Sequence, residues 1–165
     1  MTGSPLHDIC LLSLDTGLRA NEIFSLEWMD VNFKIKTLSI RDPKGIINRY
    51  ANMTNKVYEM LIQRKNMASI SPYVFTNTKG EKIKEISNQF DRVVAKLGFN
   101  DNITDVRNKV VFHTLRHTFA SRLAMGGVDV YTIKELMGHS DIKMTMRYMP
   151  VSYTHLRAHE TPEHL

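Results

Sequence analysis

The sequence has little cysteine and no long hydrophobic run. Cys10 is the only cysteine among 165 residues, so no internal disulfide can form, and we expect it to pack as a small hydrophobic side chain. No apolar stretch approaches the roughly 20 residues of a membrane-spanning helix, and Met1 is not followed by a secretory pattern. We therefore predict a cytoplasmic protein in a reducing compartment, with no membrane partner.

Internal repeats and low-complexity tracts are also missing, and acidic residues are fewer than basic ones. The chain has 22 Lys and Arg against 17 Asp and Glu, a net charge of +5, and a pI near 9.4. Such a balance is typical of proteins that bind a polyanion such as nucleic acid, although many basic proteins bind none. The length and a hydrophobic content of 42% suit one domain with a real core.

The order of hydrophobic patterns predicts a mainly helical α+β domain with one small antiparallel β-sheet. Residues 31–40 alternate like a strand, a D-P-K-G turn follows, and residues 46–53 return as the partner strand. Apolar residues three or four apart predict the helices, and capping residues mark their ends. The predicted helices are residues 5–14 before Gly17, a segment capped by Asn21, residues 54–66, a segment from Ser87 to Gly98 burying Phe90, Val93, Val94 and Leu97, a segment ending at Gly126, a segment from Asp129 to Gly138, and a short helix before Tyr148.

Basic and imidazole side chains stand at the ends of several predicted elements. His113 and Arg116 are three residues apart, so they project from one face at the start of a helix. Each residue alone has an ordinary explanation, such as a solvated arginine, a turn lysine, a core histidine or a half-buried tyrosine. The full set is Arg19 in T-G-L-R, Lys44 in D-P-K-G, His113 and Arg116 in H-T-L-R, His139 after Gly138, and Tyr148 nine residues beyond His139.

Together these side chains supply the groups that attack on a phosphodiester requires. A tyrosine hydroxyl has a pKa of about 10, so it attacks only if its proton leaves and the extra negative charge is neutralised. Arg19 and Arg116 can each give two-pronged hydrogen bonds to non-bridging oxygens without a metal. His113 and His139 can add hydrogen bonds or take up a proton. Lys44, at a hairpin tip, can protonate the departing sugar oxygen.

The segments T-G-L-R-A-N-E-I, F-H-T-L-R-H-T-F-A-S, L-M-G-H and T-M-R-Y resemble the motifs of the tyrosine recombinases, the phage integrase family. The likeness covers nearly all of residues 5–149, with the motifs in the family's order. It implies a tyrosine recombinase catalytic domain over residues 1–149, with no cofactor and no metal. The catalytic residues that it implies are Arg19, Lys44, His113, Arg116 and His139 as the activating set and Tyr148 as the nucleophile.

The resemblance also implies a reaction and its partners. Tyr148 attacks one strand of double-stranded DNA to leave a 3′-phosphotyrosyl bond and a free 5′-hydroxyl, which then attacks a second cut strand. We expect a site-specific recombinase that integrates or excises a mobile element, bacterial or phage-encoded and acting on the nucleoid. It is expected to be a monomer when free and a homo-tetramer on DNA at synapsis.

Both ends of the chain depart from the family pattern. Family members usually carry an N-terminal core-binding domain before the T-G-L-R motif, and it is absent here, so we expect weak and strongly salt-dependent DNA affinity. Residues 150–165 lack the apolar spacing of a docking helix, and we expect a non-native tail rather than a divergent one. Tyr153 in that tail has the wrong spacing from His139 for the nucleophile.

Three alternatives stay open on the residues alone. Lys44 is matched only by position, and Lys34, Lys36 or Lys56 is the general acid if the strand register differs. Residues 128–149 also read as a helix-turn-helix, with Ser140 capping a recognition helix, which suits a non-enzymatic DNA-binding protein or an inactive integrase remnant. The H-T-L-R-H spacing is that of a zinc-binding helix, but Thr114 occupies the position of the catalytic glutamate.

Overall fold

A computed structural model of the chain describes residues 4–42, 47–67 and 71–149. Helices predominate there beside one small antiparallel sheet, which confirms the predicted α+β class. No helix within these ranges is long and apolar enough to cross a bilayer. The chain divides into two compact units, Met1–Phe119 and Ala120–Leu165. The elements are α1 (Pro5–Thr16), α2 (Ala20–Phe24), β1 (Val31–Asn32), β2 (Thr37–Arg41), β3 (Ile47–Asn52), α3 (Asn55–Asn66), α4 (Ser87–Lys96), α5 (Phe112–Met125), α6 (Val130–Met137) and α7 (Lys143–Met146).

Helix α1 ends at the glycine that the sequence indicated. Gly17 has φ 69°, in the left-handed region that glycine adopts without strain, and its N–H donates to the Ser13 carbonyl at 3.0 Å. The helix runs two residues past the predicted end because Gly17, and no earlier residue, terminates it. The N–H of His7 donates to the hydroxyl of Ser4 at the other end.

Helix α2 starts earlier than predicted, and Asn21 is not its cap. Arg19 holds the N-cap position, and its backbone N–H donates to a carboxylate oxygen of Glu22 at 2.8 Å. This contact satisfies a donor at the helix start, so the first turn forms before Asn21, which lies inside the helix. The helix ends at Phe24.

The predicted strand over residues 31–40 is two strands joined by a turn. The side-chain oxygen of Asn32 accepts the backbone N–H groups of Lys34 and Ile35 at 3.1 and 3.2 Å, and Lys36 has φ 52°. These local hydrogen bonds reverse the chain although the apolar alternation continues through it. Strand β3 pairs antiparallel with β2, as predicted, so the sheet is a meander in the order β1-β2-β3.

Helix α4 buries a narrower stripe than predicted. Phe90 and Val94 are buried, as expected, but Val93 and Leu97 are 42% and 59% exposed. Successive helical residues point about 100° apart, so a stripe through Phe90 and Val94 leaves Val93 at its flank. Ser87 was predicted as the cap but is the first helical residue. The helix ends before Gly98, whose φ is 70°. This position confirms the predicted end.

The remaining helix ends follow their capping residues. The hydroxyl of Thr54 accepts the N–H of Val57 at 3.3 Å at the start of α3. The carboxylate of Asp129 accepts two N–H groups of the first turn of α6, each at 3.0 Å, and Gly138 ends that helix at φ 60°. Asp129 and Gly138 match the sequence prediction because caps act within three or four residues, whereas Thr54, predicted as the first residue of its helix, is the N-cap.

The core of the Met1–Phe119 unit packs α1, α2 and α3 with the sheet. Ile9, Leu12, Leu38, Leu61 and Phe75 are all fully buried there. Among the described residues 120–149 of the other unit, the buried apolar side chains belong to α5 and α6. They are Ala120, Ala124, Ile133 and Met137.

The single cysteine lies on α1, between Ile9 and Leu11. Its side chain is half-buried. Burial raises the pKa of the Cys10 thiol to about 11, because the thiolate loses its hydration. The group is therefore a protonated, weakly polar packing residue, which matches the prediction that it behaves as a small hydrophobic side chain.

Candidate active site

Arg116 is the most deeply buried charged side chain of the candidate site. It lies in the second turn of α5 with 1% of its surface exposed, and its Nη1 donates to the carbonyl oxygen of Gly17. An ordinary solvated arginine is therefore the wrong description of this residue. Gly17 belongs to the T-G-L-R turn, so this hydrogen bond fastens α5 to the segment that carries Arg19, within the Met1–Phe119 unit.

Arg19 is held through both its backbone and its side chain. Its backbone N–H donates to one carboxylate oxygen of Glu22 at 2.8 Å, and its Nη1 donates to the other at 3.1 Å. The Arg19 side chain is 38% exposed and that of Glu22 is 15% exposed. The T-G-L-R-A-N-E segment therefore orients Arg19, because Arg19 at the helix start and Glu22 one turn later are joined by hydrogen bonds.

Arg49 also contacts Glu22, and the sequence analysis missed this residue. It lies on β3, and both its Nη atoms donate to the Glu22 carboxylate, at 2.9 and 2.8 Å. Its side chain is only 8% exposed. A signal was available in R-Y-A-N-M: Arg49 shares the strand face of Ala51, which is buried, and an arginine on an apolar face needs a partner.

Two guanidinium groups therefore share the carboxylate of Glu22. Burial raises the pKa of this carboxyl group, but hydrogen bonds and charge from Arg49, and then from Arg19, outweigh that effect and leave the pKa below its usual value. Glu22 is consequently ionised at neutral pH. It contributes a fixed negative charge that holds two positive groups in a mostly buried position.

A groove of about 730 Å³ opens beside Arg19 in the Met1–Phe119 unit. Its walls include Arg41, whose Nε donates to Asp30 at 2.5 Å, and Lys82, whose Nζ donates to the hydroxyl of Ser25 at 2.6 Å. The lining also includes four acidic side chains, so the charge around Arg19 is mixed; they are Glu22, Glu27, Asp30 and Asp42. The groove is open, and an extended ligand can reach an open surface, whereas an enclosed cavity admits only small molecules.

His113 lies exposed at the start of α5 and contacts a second histidine. The rings of His113 and His117 are 4.6 Å apart and almost perpendicular. This is the pair that raised the possibility of a zinc-binding helix. Among residues 4–42, 47–67 and 71–149, no group of three or more His, Cys, Asp or Glu side chains is arranged to hold a metal ion.

His139 and Tyr148 lie together in the Ala120–Leu165 unit. The two rings are nearly parallel, with an interplanar angle of 14° and centroids 6.4 Å apart. His139 is 7% exposed because it follows the left-handed Gly138, which turns the chain inward at the end of α6. Tyr148 is half-buried and follows α7, where its N–H donates to the carbonyl of Thr145 at 3.0 Å.

Thr145 orients this histidine, a role that the sequence analysis did not assign to it. Its hydroxyl shares a hydrogen bond of 2.9 Å with Nδ1 of His139, and its side chain is fully buried. Because Nδ1 is committed to this contact, the ring plane and the direction of Nε2 are fixed. The T-M-R-Y spacing contained the signal, since Thr145 and Tyr148 are one helical turn apart.

The helix-turn-helix alternative predicted a recognition helix capped by Ser140, and this prediction was wrong. Helix α7 has four residues, which is about 6 Å and too short to follow a DNA groove. Ser140 does not cap it. Ile142 holds the N-cap position, and the carboxylate of Asp141 accepts the N–H of Lys143 at 2.9 Å.

The lysine of the predicted site is not among the described residues. Lys44 lies in the segment 43–46, and the tail 150–165 also falls outside the described ranges. Of the alternative lysines, Lys34 and Lys36 belong to the turn between β1 and β2, and Lys56 belongs to α3. Lys36 donates to the side chain of Asn55 at 3.2 Å and lies over the ring of Tyr58.

Sequence comparison places these residues in a known family. Residues 4–155 match the phage integrase family. The chain is 30% identical over 151 residues to the tyrosine recombinase XerA of Pyrococcus furiosus, covering 90% of this chain and 51% of that protein. The chain therefore spans about half the length of the curated relatives it matches.

Solved structures of similar fold agree with this assignment. The catalytic domain of bacteriophage HP1 integrase is 26% identical with a TM-score of 0.63, covering 93% of this chain and 79% of that one. The Tn1549 transposon integrase, solved with circular intermediate DNA, shares the fold at 23% identity with a TM-score of 0.75, covering 92% of this chain and 57% of that one. The resemblance inferred from the motifs is thus confirmed, and the chain belongs to the phage integrase family.

Proposed function

We propose that the chain is a site-specific DNA recombinase that cuts and rejoins strands through a covalent 3′-phosphotyrosine intermediate. The observation that carries this proposal is the burial of Arg116 against the turn that bears Arg19. A guanidinium is always charged, so its burial is costly. An apolar side chain at the same position would stabilise the fold better. Its retention at the centre of the family motifs therefore points to anion binding.

The proposed reaction conserves the energy of the DNA backbone. The phenol oxygen of Tyr148 attacks phosphorus and loses its proton, and the bond from phosphorus to the 5′ oxygen breaks. Lys44 gives a proton to that departing oxygen. In the second step a 5′-hydroxyl from another strand attacks the phosphotyrosyl bond and releases Tyr148. Bonds broken and formed are equivalent, so no external energy source is needed.

The other residues stabilise the negative charge that develops on phosphorus. Arg19 and Arg116 each present a planar fork of donors that matches the non-bridging oxygens of a phosphate. His113 and His139 add hydrogen bonds or accept the tyrosine proton. Thr145 keeps the His139 ring in one orientation, so less reorganisation is needed when the charge appears.

The proposed partner is double-stranded DNA, and the proposed setting is a mobile element in the bacterial cytoplasm. The basic balance of the chain supports a polyanionic partner, and the similar Tn1549 integrase is a transposon protein solved with DNA. Exchange of two duplexes requires four cleavages, which a monomer that assembles into a homo-tetramer on DNA provides.

A suicide substrate tests the covalent step. The probe is a library of labelled duplexes with randomised half-sites, each nicked so that cleavage releases a short 5′-hydroxyl fragment that diffuses away. The protein should become covalently linked to DNA in a form that survives detergent, and sequencing of the trapped DNA should reveal a preferred site. Tyr148→Phe should give no adduct because it lacks the attacking oxygen.

Tyr153→Phe is the matched control and should form the adduct as the unchanged chain does. A tyrosine-dependent adduct that persists in Tyr148→Phe would assign the nucleophile to another residue. Binding of DNA with no adduct from any variant would indicate the inactive remnant instead of the enzyme.

A further inference from the structure

The contacts of Glu22 single out a residue to which the proposed reaction gives no role. Arg49 contacts both oxygens of this carboxylate at 2.8 and 2.9 Å, which is closer than the 3.1 Å contact from the Arg19 guanidinium. The Arg49 side chain is also less exposed than that of Arg19, at 8% against 38%. The guanidinium of Arg49 therefore binds the Glu22 carboxylate more strongly than the guanidinium of Arg19 does.

We propose that Arg49 is a positioning residue, which fixes the Glu22 carboxylate and through it the backbone and guanidinium of Arg19. This inference rests on the proposed function, in which Arg19 binds the phosphate under attack. Arg49 itself lies on β3 and pairs with Ile40 of β2. It thus ties the sheet to the start of α2.

The geometry requires a second cation at Glu22. With Arg19 as its sole partner, the ionised carboxylate would hold that guanidinium tightly and compete with a phosphate for it. It would also repel the phosphate, since like charges in a poorly hydrated position interact strongly. Arg49 supplies the compensating charge from a buried position, so Glu22 orients Arg19 while the net charge of the three groups remains positive.

An alternative role for Arg49 is simple stabilisation of the fold. An arginine that pairs with a buried carboxylate also occurs elsewhere in the same unit, where Arg64, whose side chain is 20% exposed, donates to Asp8 at 2.7 Å. Arg64 does not contact the T-G-L-R turn in that interaction. The Arg64→Met variant is therefore a matched control for the loss of a buried ion pair that does not involve Arg19.

Backbone NMR of the full chain tests the positioning step without reference to activity. The Arg19 amide donates to Glu22 at 2.8 Å, so its proton should be shifted downfield and protected from exchange. In Arg49→Met this amide should lose protection and move toward its position in Glu22→Gln, whereas Arg64→Met should leave it unchanged. If the Arg19 amide of folded Arg49→Met keeps the chemical shift and the exchange protection of the unchanged chain, the proposal is overturned.

Single-turnover cleavage of the trapped DNA site supplies the second readout. Arg49→Met should slow cleavage at saturating DNA by roughly a hundredfold, the effect expected from a small misplacement of a catalytic group. Arg49→Lys, which keeps the charge but not the fork, should recover part of the rate. Arg64→Met should cleave at the wild-type rate once its folded fraction is taken into account.

A double variant separates action through Glu22 from direct contact with DNA. Glu22→Gln with Arg49→Met should be no slower than Glu22→Gln alone, because the carboxylate that Arg49 orients is already gone. An equal hundredfold loss in both backgrounds would mean that Arg49 acts on DNA directly and would overturn the proposal. If the unchanged chain forms no adduct, the proposed function fails, and the amide measurement still decides the role of Arg49.

Discussion

At the scale of single residues, the hydroxyl of Thr145 orients a histidine that lies beside the proposed nucleophile. Its side chain is fully buried, and its one hydroxyl is 2.9 Å from Nδ1 of His139. A histidine that stacks on the proposed nucleophile must present one nitrogen consistently, and a buried hydrogen bond at the other nitrogen achieves this. The residue thus combines packing and orientation, and substitutions can separate the two.

Thr145→Val keeps the volume of the side chain but removes the hydroxyl. We expect cleavage to slow about tenfold, the rate equivalent of one lost hydrogen bond. Thr145→Ser keeps the hydroxyl but loses a buried methyl group, so it should cleave normally and lose about 1 kcal/mol of stability. Adduct formation rates and urea unfolding measure the two effects. Equal cleavage by both variants would remove Thr145 from the proposed mechanism.

At the scale of elements, the turn between α1 and α2 has two roles. Gly17 ends α1 in a left-handed conformation, and its carbonyl oxygen accepts the hydrogen bond from Arg116. The orientation of that carbonyl depends on the backbone angles of the turn. The glycine is therefore needed for more than helix termination, because a change in its angles also moves the acceptor of a buried guanidinium.

Gly17→Ala should destabilise the chain by about 1–2 kcal/mol, the cost of a left-handed alanine, and should also slow cleavage. Gly80→Ala is the control. Gly80 has φ 78° and open space around its added Cβ atom, so its substitution should cost a similar amount of stability with no change in the cleavage rate. Thermal unfolding and adduct formation give the comparison. Normal cleavage by Gly17→Ala would show that the Arg116 contact tolerates a displaced turn.

Short-range signals made several helix ends predictable from the sequence. Gly17, Asp129 and Gly138 act on residues within one turn, so their effects are visible in a few letters of sequence. The β1–β2 turn was missed although its cause is equally local. Asn32 accepts two backbone N–H groups there, and the continuing apolar alternation concealed that signal.

The residue types of the candidate site could be proposed from the sequence, but their supporting contacts could not. Arg19, His113 and Tyr148 were proposed because family motifs are written in consecutive letters. Arg49 donates to a carboxylate 27 positions away, and Arg116 donates to a carbonyl 99 positions away. Partners so distant in sequence are chosen by the folded chain, and no local pattern records them.

At the scale of the whole molecule, we expect the net charge of +5 to favour the proposed encounter with DNA. Each phosphate neutralised by a Lys or Arg adds about 0.9 to the slope of log Kd against log salt concentration. We expect a slope of about 4 to 6 for Tyr148→Phe, measured by fluorescence anisotropy with labelled duplex, since several phosphates must be contacted. This variant prevents covalent trapping during the titration. An affinity that does not change with salt would argue against a phosphate-binding surface.

The half-buried Cys10 has a practical consequence for work on this chain. A thiol whose pKa is raised to about 11 carries almost no thiolate at neutral pH, and the thiolate is the form that alkylating reagents attack. Because the chain contains no other cysteine, a dye can be directed to a single engineered cysteine, for example at Met125, which is 75% exposed. The native thiol can remain in place, and a fluorophore can then report on the proposed strand exchange in real time.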